Sequence, residues 1–136
     1  MSSAETRHLE LSLLPEHFAI SRLAADSPVP YWATQGPFSS VTRTGDELSV
    51  VTELSRVPAS VQSQPGWRVL KVHGPFVLSE VGVLAALAKP LAEARISLFA
   101  VSTFDTDYLL VASETLSAAI AALERAGHTV HRSKAE

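Results

Sequence analysis

From residue 67 onward, short apolar runs alternate with segments in which apolar residues recur every three or four positions. Four apolar runs predict strands, at residues 67–72, 96–101, 108–112 and 128–130. The second and third runs are so apolar that we expect both faces of these strands to be covered. Helical spacing predicts two helices, with stripes at Val81, Leu84, Leu87, Ala88 and Leu91 and at Leu116, Ile120 and Leu123. The order β-α-β-β-α-β predicts an α+β, ferredoxin-like fold, an antiparallel sheet with both helices on one face.

Signals for helix ends accompany both predicted helices. Ser79 is expected to cap the first helix and to place Glu80 in its first turn, where an acid stabilises the positive end of the dipole. Ser113 is expected to cap the second helix, and Gly127 is placed to end it. Pro90 falls inside the first helix, and an interior proline costs about 3 kcal/mol, so we expect a kink or an irregular turn near Ala86.

The N-terminal half repeats the strand signals with weaker helix signals. Its apolar runs predict strands at residues 9–14, 18–23, 38–44 and 47–52, the last two joined as a hairpin by Gly45-Asp46. Closely spaced prolines make residues 24–37 a loop with one helical turn around Tyr31, and residues 56–66 are predicted as a connection. We therefore predict two units per chain, a degenerate copy of the same plan over residues 1–66 and a complete copy over residues 67–136.

Composition and charge argue against several classes of partner. The chain has 136 residues and a formal net charge of −3, and no run of Lys and Arg suggests nucleic acid as a partner. Cys is absent, which excludes disulfides and Cys-based zinc sites and fits a reducing compartment. Glu10 and Ser12 interrupt the Leu-rich start, and no window approaches the roughly 18 consecutive apolar residues of a transmembrane helix. A cytoplasmic protein without a membrane partner is expected.

No motif commits the chain to catalysis or to a cofactor. A G-x-S-x-G elbow is missing, and Gly74 and Gly82 do not belong to a dinucleotide- or phosphate-binding pattern. No two histidines stand at metal-ligand spacing on a predicted helix; the five are His8, His17, His73, His128 and His131. We therefore predict no catalytic residue, no metal site and no cofactor. His73, at a strand end, is expected either at the surface or against a ligand.

Residues 102–107, Ser-Thr-Phe-Asp-Thr-Asp, form an unusually polar link between two apolar strands. If the link is extended, Asp105 and Asp107 lie on the same side. Two carboxylates could hold a divalent cation, but such an ion needs more oxygen ligands than this segment supplies. Asp also favours turns, because its side chain accepts local backbone N–H bonds. The residues alone leave three interpretations open: turn closure, binding of an ammonium or guanidinium group, and metal binding.

Two longer motifs resemble a known family of binding domains. They are S-E-V-G-V-L-A-A-L-A-x-P-L-A from Ser79 and R-I-S-L-F-x-x-S-T-F-D-T-D-Y-L-L-V from Arg95. Together they resemble the ACT domain, and more narrowly the tandem-ACT group of bacterial stand-alone ACT proteins and an animal cytosolic arginine sensor. The resemblance covers about residues 8–130. It implies a site for an amino acid between paired units, near the loop after the first strand and the start of the first helix.

The same resemblance implies which residues contact the ligand. They are Val77, Glu80, Ser97, Leu98, Thr103, Phe104 and Asp107. Ser97 and Leu98 match positions supplied by the opposing unit, and Val77 stands where the sensor has a glycine, which reshapes the pocket. From the residues alone, Glu80 either stabilises the helix dipole or receives a ligand cation. Phe104 either covers the end of the sheet or packs against the aliphatic part of a ligand.

These expectations combine into a cytoplasmic, non-enzymatic regulatory or sensor protein that binds an amino acid or a similar small zwitterion. The chain is shorter than the arginine sensor, so a homodimer is expected, paired through residues 96–101 and the first helix. An unidentified protein target would respond to the ligand. One alternative is a small enzyme that uses Asp105 or Asp107 with His73 as acid and base. The other is an assembly module that binds no ligand.

Overall fold

The computed structural model describes residues 7–76 and 81–132. The strands and helices in chain order are β1 Glu10–Leu13, β2 Phe18–Leu23, β3 Ser40–Arg43, β4 Leu48–Glu53, β5 Gln62–Val72, α1 Val83–Glu93, β6 Phe99–Ser102, β7 Asp107–Ala112, α2 Leu116–Arg125 and β8 Thr129–His131. From β5 onward this is the predicted β-α-β-β-α-β order, so the α+β, ferredoxin-like fold is confirmed. The chain divides into a discontinuous unit, Met1–Pro15 with Arg68–Glu136, and a continuous unit, Glu16–Trp67.

The sheet of the discontinuous unit has the strand order β6-β7-β5-β1-β8. Strand β1 pairs antiparallel with β5 and parallel with β8, and its Leu11 and Leu13 are buried. The predicted division between residues 66 and 67 assigned β1 to the N-terminal unit, and this pairing moves β1 to the other unit. Strand β1 belongs with the C-terminal part of the chain, because its backbone hydrogen bonds are made to β5 and β8.

One contiguous apolar core joins this sheet to both helices. Alternating residues of β1, β5 and β7 pack against helical residues that include Leu87, Leu91, Ile120 and Leu123. These four residues of the predicted stripes are confirmed as core residues, and burying each such side chain contributes about 1.5–3 kcal/mol. Val81 was wrongly assigned to the first stripe, because it precedes α1 and is 85% exposed.

The helix ends differ from the predicted caps. Helix α1 begins at Val83 after Gly82, which has a positive φ of 90°, and its first turn contains no acid. The predicted cap Ser79 and its neighbour Glu80 lie outside the described residues. Ser113 does not cap α2: it opens a 3₁₀ turn, Ser113–Thr115, and within the described part of the chain its buried Oγ has no hydrogen-bond partner. Gly127, with φ 99°, follows the end of α2 as predicted.

Helix α1 continues through Pro90, and a buried histidine supports it there. Proline has no N–H, so the carbonyl of Ala86 lacks its usual helical donor. His128 Nε2–H donates to that carbonyl at 3.0 Å, and the backbone N–H of Leu9 donates to His128 Nδ1 at 3.1 Å. Because Nδ1 accepts, the proton of the neutral ring is on Nε2. His128 thus satisfies groups of β1 and α1 from a position that is only 5% exposed.

The continuous unit is built from three paired strands and the first part of β5. Strand β4 lies between β3 and β2, and β2 pairs with residues 62–67. The predicted hairpin is confirmed, and so is the helical turn predicted around Tyr31, which is a 3₁₀ turn at Tyr31–Thr34. The connection predicted at residues 56–66 is too long, because β5 already begins at Gln62. The first residues of β5 are polar, so the sequence gave no strand signal there, yet they form backbone pairs with β2.

Strand β6 is less covered than the sequence suggested. It begins at Phe99 and pairs with β7 alone among the described strands, so it is an edge strand of the discontinuous unit. Phe99 and Ala100 are exposed, and the expectation that both faces are covered is therefore wrong for β6 in the single chain. For β7 the expectation agrees with buried Leu109, Leu110 and Val111.

Within the described residues, no helix is long and apolar enough to cross a bilayer.

Candidate functional site

The polar link between β6 and β7 is a closed hairpin with two residues at its tip. Ser102 and Asp107 are directly opposite each other in the strand register. The backbone N–H of Thr103 donates to the carbonyl of Thr106 at 2.8 Å, and the Thr103 hydroxyl donates to the same carbonyl at 3.0 Å. Phe104 and Asp105 form the tip. The hairpin is therefore fixed by its threonines, without the glycine or asparagine of the commonest tight turns.

The hairpin tip is attached to the segment that follows β5. The hydroxyl of Thr106 is buried and donates to the carbonyl of Val72 at 2.7 Å. The backbone N–H of Phe76 donates to the carbonyl of Asp105 at 2.8 Å. A side chain on Gly74 would not fit here, since its Cβ would lie 2.9 Å from the Asp105 carbonyl oxygen. The link thus lies beside the chain that leads from β5 towards α1, where the family resemblance places a ligand site.

Asp107 closes the hairpin through one hydrogen bond and can accept further hydrogen bonds. Its Oδ1 accepts a hydrogen bond from the Ser102 hydroxyl at 2.6 Å, so it does close the turn. Asp107 is half-buried at the start of β7. An ionised carboxylate can accept about four hydrogen bonds. The contact with Ser102 therefore does not exhaust its capacity, and turn closure and ligand binding are compatible roles for this side chain.

The other predicted contact residues are distributed around the same edge. Phe104 is 77% exposed at the hairpin tip, a high value for a large aromatic side chain. Ser97 is exposed and Leu98 is half-buried against the core, both on the segment that enters β6. Thr103, Phe104 and Asp107 thus lie together on the hairpin. Val77 and Glu80 lie outside the described residues, and their predicted contacts stay predictions.

A separate cavity lies against α1, and none of the predicted contact residues that the structure describes lines it. Its volume is about 380 Å³, and it is lined by Arg7, Gly82, Ala85, Ala86, Lys89, Pro90, Glu93, Ala126 and His128. Arg7 at its edge donates to the carbonyl of Val81 at 3.0 Å and lies over the Phe76 ring. These residues come from three distant parts of the sequence, so no local motif could have indicated the cavity.

A second feature missed from the sequence is a cluster formed by residues of β1 and β8 and by the residue that follows β5. Glu10, His73 and His131 bring metal-ligating atoms within 4.8 Å of one another. His131 Nε2–H donates to Glu10 Oε1 at 2.7 Å, and this bond lowers the pKa of Glu10 below its usual value. The prediction of no metal site relied on spacing along helices, whereas these three residues lie on neighbouring strands.

The fold places this chain among the ferredoxin-like α+β proteins, and the sequence comparisons define it further. A family model described as the ACT domain matches residues 62–125, which include β5, both helices and the hairpin. A second family model, for the N-terminal domain of a protein group, matches residues 16–60. Residues 62–125 belong to the ACT-domain family.

Individual relatives agree with this assignment. The chain is 38% identical over 121 residues to the human protein named cytosolic arginine sensor for mTORC1 subunit 1; the match covers 83% of this chain and 36% of that protein. The chain therefore spans about a third of this relative's length. A crystal structure of a protein from Agobacterium tumefaciens is 40% identical with a TM-score of 0.88, covering 93% of this chain and 95% of that one.

A more distant structure shares the fold alone. The regulatory subunit of aspartate kinase from Thermus thermophilus, solved in a ligand-free form, has a TM-score of 0.61 at 12% identity. The match covers 85% of this chain and 96% of that subunit.

Proposed function

We propose that this protein is a cytoplasmic regulatory protein, without catalytic activity, that binds an amino acid or a similar small zwitterion. The ligand is held where the C-terminal ACT units of two identical chains meet. The observation that carries the proposal is the β6–β7 hairpin, whose tip is attached to the segment after β5 by the Thr106–Val72 and Phe76–Asp105 hydrogen bonds. This attachment supports a preformed wall for a small ligand beside the start of α1.

The chemistry of the hairpin suits the positive group of a zwitterion. Asp107 provides a half-buried carboxylate with remaining acceptor capacity, and Thr103 lies at the same end of the hairpin. Exposed Phe104 offers an apolar surface for the aliphatic part of an amino acid. Val77 and Glu80, which the family resemblance adds, are two further proposed contacts.

The exposed edge of the sheet supports a homodimer. Among the described strands β6 pairs with β7 alone, and an apolar edge strand of this kind is a template for pairing with another chain. Phe99 and Leu98 contribute apolar surface along it. A second copy of this chain is the proposed occupant. Its Ser97 and Leu98 would then face the hairpin of the first copy and complete the ligand site.

The relatives support a regulatory role over an enzymatic one. The human relative is named as an arginine sensor, and the kinase regulatory subunit from Thermus thermophilus shares the fold. The chain covers 36% of the sensor's length, so pairing of two chains is the proposed way to assemble the ACT units of a sensor. In the enzymatic alternative His73 acts with Asp105 or Asp107 as acid and base, but its Nε2 lies 2.6 Å from the Ser12 hydroxyl, and the ring stacks on His131.

Thermal unfolding with each of the twenty amino acids tests the proposal. A ligand present at 100 times its Kd stabilises the folded protein by about 2.7 kcal/mol, which raises Tm by several degrees. Asp107→Ala should abolish this shift. Ser102→Ala is the matched control, because it removes the same hairpin hydrogen bond but retains the carboxylate.

The two variants separate ligand binding from turn closure. If Asp107 binds the ligand, Ser102→Ala lowers the basal Tm slightly and keeps the ligand-induced shift, whereas Asp107→Ala loses it. If no amino acid raises Tm at millimolar concentration while the protein is dimeric, the proposal is wrong. If both variants retain the full shift, the ligand binds at another site.

A further inference from the structure

The register of three strands places Glu10, His73 and His131 on one face of the sheet. In β1, Leu11 and Leu13 point into the core, so Glu10 and Ser12 point to the opposite face. Leu11 is paired with Val72 of β5 and with Val130 of β8, both of which are also in the core. The residues that follow them, His73 and His131, therefore share the outer face with Glu10. The backbone N–H of His73 donates to the carbonyl of Glu10 at 2.8 Å, which fixes their relative position.

The three side chains form a compact set of metal-ligand atoms. One atom from each lies within 4.8 Å of the other two. Around a tetrahedral zinc ion, with metal–ligand distances of about 2.0–2.2 Å, ligand atoms are separated by roughly 3.4 Å. All three residues are exposed, and rotation of their side chains can close the difference. The backbone pairing of β1 with β5 and β8 means that no movement of the strands is required.

We propose that Glu10, His73 and His131 form a binding site for a divalent transition-metal ion of the Zn²⁺ type. Two imidazoles and one carboxylate are the protein ligands of several zinc sites that keep a fourth position for water. Imidazole ligands favour zinc, copper and nickel over Mg²⁺ and Ca²⁺, which prefer oxygen ligands. The site is independent of the proposed amino-acid site, and it joins three strands of the discontinuous unit at one point.

Metal binding at this position replaces existing hydrogen bonds. The ion takes the place of the proton between His131 Nε2 and Glu10 Oε1. In a neutral ring this proton is exchanged through solvent for one on Nδ1, and in a charged ring it is released to solvent. His73 Nε2 turns away from the hydroxyl of Ser12, which is 2.6 Å distant. Lys71 is paired with Ser12 and shares this face, but it is exposed, and its flexible side chain can keep the ammonium group in solvent.

Calorimetric titration of the chelator-treated, full-length protein with ZnCl₂ tests this proposal. We expect one Zn²⁺ per chain, an increase in Tm with zinc, and no binding of Mg²⁺ under the same conditions. His73→Ala and His131→Ala should each weaken zinc binding at least about tenfold, since loss of even an outer partner of a metal ligand typically costs 10–100-fold. Glu10→Gln should also weaken it. His17→Ala is the control, because His17 is exposed on the continuous unit.

Circular dichroism of each variant establishes that it is folded, so that lost binding is assigned to the lost ligand. Stoichiometric binding that His73→Ala, His131→Ala and Glu10→Gln leave unchanged would place the zinc elsewhere and overturn the proposal. Absence of binding at millimolar zinc by the unsubstituted protein would overturn it as well. Equal weakening by His17→Ala would indicate nonspecific coordination by surface histidines and would also contradict it.

Discussion

At the residue scale, His128 shows how one side chain can offset an unfavourable neighbour. The sequence predicts Pro90 inside a helix but does not indicate what satisfies the carbonyl one turn before it. The structure provides His128, which donates to the Ala86 carbonyl and accepts from the Leu9 N–H. This partnership joins residues separated by 42 and 119 positions. Such contacts cannot be predicted from local pattern, because they depend on how β1, β8 and α1 pack.

Replacement of His128 by Leu should destabilise the protein through unpaired backbone groups. Each buried group left without a partner costs about 1–3 kcal/mol, so we expect a loss of about 2–4 kcal/mol in urea unfolding. In the Pro90→Ala background the restored N–H of residue 90 can donate to the Ala86 carbonyl. His128→Leu should therefore cost roughly 1 kcal/mol less in that background. Additive effects of the two substitutions would show that His128 and Pro90 are not coupled.

Gly74 is the second residue whose role became visible only in three dimensions. From the sequence it reads as the end of a strand, whereas in the structure it makes room for the hairpin tip. Gly74→Ala would bring a methyl group 2.9 Å from the Asp105 carbonyl oxygen and 3.1 Å from Thr106 Cβ. We expect a loss of about 1–3 kcal/mol in stability, together with a smaller ligand-induced rise in Tm.

Gly45→Ala is the matched control for this prediction. A Cβ at Gly45 would meet no atom within 4 Å, and the residue does not have a positive φ. Its unfolding free energy should change by no more than a few tenths of a kcal/mol. Equal losses for the two variants would contradict the account of Gly74 as a packing requirement.

At the element scale, most strands and both helices could be predicted, but their surroundings could not. Period and apolar content locate β7 and the stripes of α1 and α2 well, because these elements bury one or both faces. Strand β6 carries the same apolar signal and is nevertheless an exposed edge. An apolar run indicates that other residues pack against the strand. It does not show whether those residues belong to the same chain or to a second chain. The start of β5 shows the opposite behaviour. Its residues are polar and give no strand signal, but they form a strand through backbone pairing.

Phe99→Lys should dissociate the proposed dimer without unfolding the chain. Phe99 is 38% exposed at the start of β6, and a charged residue on an edge strand opposes pairing with another strand. Sedimentation equilibrium should show a dimer dissociation constant at least about tenfold higher, with an unchanged circular dichroism spectrum. Val29→Lys is the control, because Val29 is an apolar residue with 46% exposure on the continuous unit. A dimer that survives Phe99→Lys unchanged would exclude β6 from the interface.

At the scale of the whole molecule, the family and the general location of the hairpin could be predicted from the sequence. The S-T-F-D-T-D-Y motif carries the resemblance, and in the structure its Thr106 and Asp105 are hydrogen-bonded to Val72 at the end of β5 and to Phe76 beyond it. The placement of β1 was missed, since nothing in residues 9–14 indicates pairing with strands about 60 and 120 positions away. The Glu10–His73–His131 cluster was missed for the same reason, because it exists only through that pairing.

The central claim, a ligand shared between two chains, is tested most directly by measuring dimer affinity with and without the amino acid that raises Tm. Thermodynamic linkage requires a ligand bound at the interface to strengthen dimerisation by the factor with which dimerisation strengthens ligand binding. Sedimentation equilibrium at saturating ligand should give a dimer dissociation constant at least about tenfold lower than without ligand, and Asp107→Ala should remove the difference. An amino acid that binds and raises Tm but leaves the dimer dissociation constant unchanged would contradict a site at the interface.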